Sequence, residues 1–117
     1  MTKLTSRENK SDEIPDDIWQ RIIDDFGAAE ADEVYRYLLS RIPDGLPNGT
    51  RPRHLRCILY LANGGRNLLD EWVKMCLQDT RDVMLHAEYE TDSASQLIRK
   101  RDFSKPFGRE TIADERE

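Results

Sequence analysis

The chain has few of the residues and runs that build disulfide scaffolds or membrane spans. It holds only two cysteines among 117 residues, and Cys57 and Cys76 fall in two different predicted helices. A disulfide framework is therefore not expected, and both are predicted to be small buried thiols in a reducing cytoplasm. No apolar run approaches the roughly 18 residues of a membrane-spanning helix. Residues 1–13 lack the apolar stretch of a secretory signal.

Motifs for catalysis and metal binding are also scarce. His54 and Cys57 share one helix face, but no third group orients them as a nucleophile pair needs. We expect instead a core cysteine beside a surface histidine. His54, Cys57, Cys76 and His86 are the only soft metal ligands, and no CxxC or HxxxH pair occurs. The sequence therefore predicts a protein that is not an enzyme and has no metal or cofactor.

Charge is abundant, but the two signs are unevenly spread. Charged residues make up 35% of the chain, and the net charge is −5. Residues 1–46 carry 6 Lys/Arg and 11 Asp/Glu, whereas residues 47–109 carry 11 and 8. An acidic region beside a mildly basic one suits a protein partner better than a nucleic acid, whose binding domains usually show a strong basic excess.

Hydrophobic periodicity predicts an all-α fold, with about five helices in antiparallel hairpins around a single core. No strand-like alternation interrupts the helical pattern. Within the core, Trp19, Leu38, Leu59 and Trp72 should be largely buried. We expect a disordered N-terminal arm (1–13), a helical domain (14–90), a C-terminal segment packed on the core (91–109) and a disordered tail (110–117). The predicted helices are 15–26, 29–41, 52–62, 67–78 and 80–89.

The first two predicted helices carry more acidic residues than helix capping requires. Two interpretations remain open: the acidic residues attract a basic protein partner, or they serve only to keep the protein in solution. A paired-carboxylate acid–base site is not expected, because it needs a cleft that separates the two pKa values. On the first interpretation, the partner-binding residues are Asp16, Asp17, Asp24, Asp25, Asp32 and Glu33.

Two small basic groups form the alternative site. The first lies at the start of the third helix, where helix N-terminus and arginines together favour phosphate or an acidic partner. We favour a solvated face paired with the acidic half. The second precedes Phe103 and Phe107. These rings can stack on nucleic-acid bases or can pack against the helices and so hold the C-terminal segment on the core, and we favour the packing role. The residues of this alternative site are Arg51, Arg53, His54, Arg56, Arg99 and Arg101.

The stretches HLRCILYLANG, RDVMLHAEY and RDFSKPF are similar to segments of small bacterial proteins. In size, acidity and all-helical pattern the chain also resembles the helical immunity proteins that neutralise bacterial nuclease toxins. That resemblance implies a non-enzymatic inhibitor whose acidic face covers the basic active site of a toxin or nuclease domain. The alternative is a regulatory or nucleic-acid-associated module that uses the two basic groups.

Overall fold

The computed structural model describes residues 14–112, so the predicted arm at 1–13 and the last five residues lie outside the described part. The described residues are mostly helical, as predicted, and the helices begin and end within about two residues of their predicted limits. A two-stranded sheet follows them. The elements are α1 (Asp16–Phe26), α2 (Ala28–Arg41), α3 (Arg51–Ala62), α4 (Arg66–Gln78), α5 (Thr80–Glu88), β1 (Tyr89–Thr91) and β2 (Leu97–Arg99).

The helix ends follow from local chemistry. Pro15 precedes α1, and Gly27, at φ +89°, turns the chain directly into α2. The Thr50 side chain accepts a hydrogen bond from Arg53 N–H and caps α3. Asn63 ends α3 in the left-handed conformation, at φ +46°. These tight junctions bring α1 against α2 and α3 against α4.

The core lies between the helices, and α3 is its centre. Six of the nine residues from His54 to Ala62 are fully enclosed, and α3 packs against α1, α4 and α5. Leu38 and Leu59 are buried as predicted. Trp19 and Trp72 pack against this core and are mostly, though not fully, buried. Each lies at the edge of the core beside another ring, and so keeps part of its surface in water.

The helical prediction does not include the short hairpin that follows the helices. Residues 89–99 form an antiparallel hairpin in which Tyr89 pairs with Arg99 and Thr91 with Leu97. The Asp92 carboxylate accepts hydrogen bonds from two backbone N–H groups of the turn, and Ser95 takes φ +64°. Each strand has three residues, too few for an alternating pattern to be visible in the sequence.

The C-terminal segment crosses the helices and is anchored by Phe103. This side chain is fully buried and contacts the rings of Tyr60 and Phe107 at centroid distances of 5.3 and 5.6 Å. This agrees with the interpretation that the two phenylalanines pack the C-terminal segment onto the helices. Residues 110–112 then return alongside residues 100–102, where Ile112 N–H donates to Lys100 C=O at 3.0 Å. Within residues 14–112, no helix is both long and apolar enough to cross a bilayer.

Candidate functional site

Four exposed carboxylates of α1 and α2 form what we call the acidic surface: Asp24, Glu30, Asp32 and Glu33. Asp16, the first residue of α1, is exposed as well. The local partners of the four are weak or equally exposed. Gln20 donates to Asp24 at 3.0 Å, and Arg36 lies 2.7 Å from Asp32 with 72% of its side chain exposed. Arg66 approaches Glu33 only to 3.7 Å. Exposed pairs of this kind hold little energy, so these carboxylates remain available to a partner.

Asp17 and Asp25, predicted on the same exposed face, are mostly buried instead. Two nitrogens of Arg56 donate to the Asp17 carboxylate, each at 2.9 Å, and Phe107 N–H donates to it at 3.0 Å. Burial alone would raise the pKa of Asp17, but these hydrogen bonds outweigh it and hold the pKa below its ordinary value. Asp25 pairs with Arg21 along α1 at 2.7 Å. Both act within the fold.

The alternative basic site is likewise drawn into the interior, because two of its arginines converge on Glu88. This carboxylate is 1% exposed. Arg53 donates to both of its oxygens, at 3.0 and 2.7 Å, and Arg99 donates to one of them at 3.1 Å. Phe103 N–H adds a fourth hydrogen bond at 2.9 Å. Arg53 and Arg99 are thus held in a buried ionic cluster.

The remaining arginines of that group also have partners within the fold. Arg56, 4% exposed, donates to Phe103 C=O at 3.0 Å besides binding Asp17. Arg101 pairs with Glu90 at 2.7 Å, and its guanidinium lies 4.7 Å from the centroid of the Tyr60 ring. Arg51 donates to a backbone carbonyl at 2.9 Å. The basic residues therefore tie elements together, and most of their charge is matched by nearby carboxylates.

His54 is not the surface histidine that the sequence predicts, since its side chain is fully buried. Position 54 falls on the face of α3 that lies beneath the loop preceding this helix, close to Gly49. Neither ring nitrogen makes a hydrogen bond of good geometry within residues 14–112. Burial lowers the pKa of His54, and the charge of Arg53 lowers it further, while the Pro47 backbone opposes the shift only in part. The ring is therefore held neutral.

Both cysteines are free and buried, as predicted. Burial raises the pKa of Cys76 to about 11 and raises that of Cys57 even further. Because the thiolate is the reactive form, these thiols are poor nucleophiles in the folded protein. Among residues 14–112, no cluster of three or more His, Cys, Asp and Glu side chains could hold a metal ion.

Sequence reasoning missed Glu88, the centre of the largest ionic cluster in the described residues. The available signal was its position: Glu88 follows Ala87 at the end of α5 and continues the row formed by Thr80 and Met84, which faces the core. A carboxylate in such a row must find cations, and arginines are abundant both in α3 and after β2. The backbone of Phe103, which bonds both Glu88 and Arg56, has no comparable signal in the sequence.

Comparison of the chain with protein-family models, with curated proteins and with solved structures found no match.

Proposed function

We propose that this protein is a non-enzymatic binding module that docks a basic protein partner through the acidic surface. One observation carries the proposal: the carboxylates of the acidic surface are exposed, while three arginines of the basic groups are used inside the fold. Arg53, Arg56 and Arg99 are occupied by Glu88 and Asp17. These three arginines are therefore not available to neutralise the acidic surface.

The most concrete form of this proposal is an immunity-like or antitoxin-like inhibitor. A toxin or nuclease that cleaves nucleic acid needs a cationic active site, and an acidic helical surface can cover such a site without chemistry of its own. Long-range attraction would mainly speed the encounter of the two proteins, and salt would slow it. The proposed partner is thus a basic toxin or nuclease domain. A regulatory or nucleic-acid-associated role is less well supported, because its arginines are already paired.

The proposal is tested by reversing charges that the fold does not use. Asp17 and Asp25 are unsuitable because they are paired within the fold. The test variant changes Asp24, Glu30 and Glu33 to Lys. Glu71→Lys, at an exposed site on α4, is the control for a charge reversal away from the acidic surface.

The measurement begins with affinity purification from the source cells, followed by titration of the purified candidate partner in a stopped-flow instrument. We expect a basic protein whose association slows as salt rises, and slows at least tenfold in the triple variant. Glu71→Lys should leave the rate nearly unchanged. Equal rates for the triple variant and wild type would contradict the proposal. So would saturable, low-micromolar binding of mixed RNA or DNA.

A further inference from the structure

The outer edge of β1 presents backbone groups that the fold leaves unpaired. Asp92 N–H donates to Gln96 C=O at 2.9 Å, and Lys100 N–H donates to Glu88 C=O at 2.7 Å. In an antiparallel ladder, hydrogen-bonded pairs alternate with pairs that point their backbone groups away from each other. The register therefore directs the backbone groups of Tyr89 and Thr91 outward, away from β2.

Three of these outward groups have no backbone partner within residues 14–112. Tyr89 N–H is used by Leu85 C=O at the end of α5. The carbonyl of Tyr89 and both backbone groups of Thr91 remain, and Thr91 is exposed. Along the edge, the acceptor Tyr89 C=O is followed by the donor N–H and the acceptor C=O of Thr91, which is the order that an added strand requires. Exposed sheet edges with this arrangement bind extended peptides by adding a strand.

An apolar groove runs beside this edge. It is lined by Leu85, His86, Tyr89, Glu90, Thr91 and Leu97. Leu85 is 40% exposed and Leu97 56% exposed, although both are large aliphatic side chains. Because paired residues of a ladder share a face, Tyr89, Thr91 and Leu97 project from one face of the hairpin, and Glu90 and Ile98 from the other.

We propose that the edge of β1 and this groove bind an extended segment of a protein partner by strand addition. The peptide residue opposite Thr91 would exchange two hydrogen bonds with it and direct an apolar side chain into the groove. The residues on either side of it would lie on the face of Glu90, which is exposed and paired with Arg101 at 2.7 Å, so polar side chains suit those positions. The segment therefore alternates polar and apolar positions. This site goes beyond the proposed function and is separate from the acidic surface.

The probe is a fluorescein-labelled peptide of sequence Lys-Thr-Lys-Leu-Lys-Thr-Lys, titrated by fluorescence anisotropy against the full chain. The short edge supplies few hydrogen bonds, so we expect saturable but weak binding, with a Kd on the order of 100 μM. Two further peptides carry one N-methyl group each. Methylation of the leucine removes the N–H that would face Thr91, and we expect an affinity loss of about tenfold or more. Methylation of an adjacent lysine, whose N–H would point outward, should have little effect.

The protein variants form a matched set. Thr91→Pro removes the outward N–H without removing a bond between β1 and β2, because that N–H does not point at β2. Leu97→Ser removes an apolar side chain from the groove, and Ile98→Ser makes the same kind of change on the opposite face. We expect about tenfold weaker binding for the first two and less than twofold for Ile98→Ser. Thermal unfolding of each variant checks that the fold is retained.

Several results would overturn the proposal. They are the absence of saturable binding up to about 1 mM, equal affinity for the two methylated peptides, and equal loss with Leu97→Ser and Ile98→Ser. Protection of Thr91 N–H from hydrogen exchange in the free protein would show that the chain itself covers the edge. A dimer dissolved by Thr91→Pro would show that a second copy does. The triple reversal of Asp24, Glu30 and Glu33 should leave the pattern of losses intact, which separates this site from the proposed function.

Discussion

Glu88 joins three parts of the chain that are distant in sequence. Its carboxylate accepts hydrogen bonds from Arg53 on α3, from Arg99 on β2 and from the backbone of Phe103. A buried carboxylate is costly to desolvate, and here the cost is offset by two cations and four hydrogen bonds. The cluster therefore sets the position of the C-terminal segment relative to the helices more than it contributes net stability.

Glu88→Gln should be strongly destabilising for this reason. The amide keeps nearly the same shape but removes the negative charge, leaving Arg53 and Arg99 without their common counterion. Breaking a buried ion pair in this way costs about 3–5 kcal/mol of unfolding free energy. Glu90→Gln, at an exposed pair with Arg101, is the matched control and should cost no more than about 1 kcal/mol. Urea denaturation measures both, and similar losses for the two variants would contradict the role given to Glu88.

His54 makes the stability of the protein depend on pH near neutrality. Its pKa in the folded protein lies below the ordinary value of 6.5, whereas in the unfolded chain it returns to that value. Well above pH 6.5 the imidazole is neutral in both states, so His54 adds no pH dependence there. Below it the unfolded chain binds a proton that the folded protein resists. The unfolding free energy attributable to this group is therefore lost as pH falls through that range.

His54→Leu should remove that dependence. For wild type we expect the unfolding free energy to fall by up to about 1.4 kcal/mol per pH unit as the pH falls below about 6.5. In His54→Leu the slope there should be much smaller, and stability at pH 7.5 should be similar or higher, because two unpaired ring nitrogens are removed. Urea titrations at four or five pH values decide the matter, and equal slopes in wild type and His54→Leu would disprove it.

At the scale of elements, the β-hairpin depends on one strained residue. Ser95 lies at φ +64°, the left-handed region that favours glycine. Its N–H donates to Asp92 C=O at 3.0 Å, and Gln96 then begins the return of the chain. This is a short hairpin loop with one left-handed residue, in which natural sequences usually place glycine or asparagine.

Ser95→Gly should therefore stabilise the protein. Glycine adopts this conformation without the steric cost of a Cβ, and we expect a gain of up to about 1 kcal/mol in unfolding free energy. Ser93→Gly provides the contrast: Ser93 is in the same turn but does not have a positive φ, so glycine there should cost roughly 0.5 kcal/mol through the entropy of the unfolded chain. Thermal denaturation can measure both, and a loss of stability in Ser95→Gly would refute the argument.

The helices were predictable because their signals are local. Isoleucines and leucines recur at helical spacing, and residues such as Pro15, Gly27 and Asn63 mark the ends within one or two positions. The hairpin was not predictable by the same reasoning. Its strands hold three residues each, and its turn is made by the Asp92 side chain and a serine in a glycine conformation, neither of which stands out in a polar segment.

The candidate site could be predicted only in part, because the sequence does not show which charges meet. The sequence placed acidic residues on α1 and α2 and basic residues on α3 and after β2. It could not show that Asp17 is buried while Asp24, about two turns further along nearly the same face of α1, stays exposed. That difference depends on Arg56 and Phe107, which lie 39 and 90 positions away from Asp17.

At the scale of the whole molecule, acidic charge therefore has two uses. Asp17 and Glu88 neutralise arginines and fasten α1, α3, α5 and the C-terminal segment to one another. The acidic surface takes no such part. Within residues 14–112, the six large aliphatic side chains that remain exposed lie on α4, α5, the hairpin and residue 112. The two proposed binding sites thus differ in character: one is chiefly electrostatic and the other chiefly apolar with a backbone edge.

Asp17→Asn and Asp24→Asn separate the structural from the exposed carboxylates. Asp17→Asn leaves the buried Arg56 without its counterion and should cost about 3–5 kcal/mol of unfolding free energy.

The pKa of Asp17 is held below its ordinary value of 3.8, so its stabilisation is present above that pH and is lost as pH falls below it. Between pH 4.5 and pH 2, the unfolding free energy of wild type should therefore fall more than that of Asp17→Asn. The difference in unfolding free energy between the two proteins should be smaller at pH 2. Asp24→Asn, which changes an exposed carboxylate on the same helix, should stay within about 0.5 kcal/mol of wild type. Urea denaturation at both pH values gives the comparison; an equal cost for the two substitutions would mean that the pair with Arg56 does not hold the helices and the C-terminal segment together.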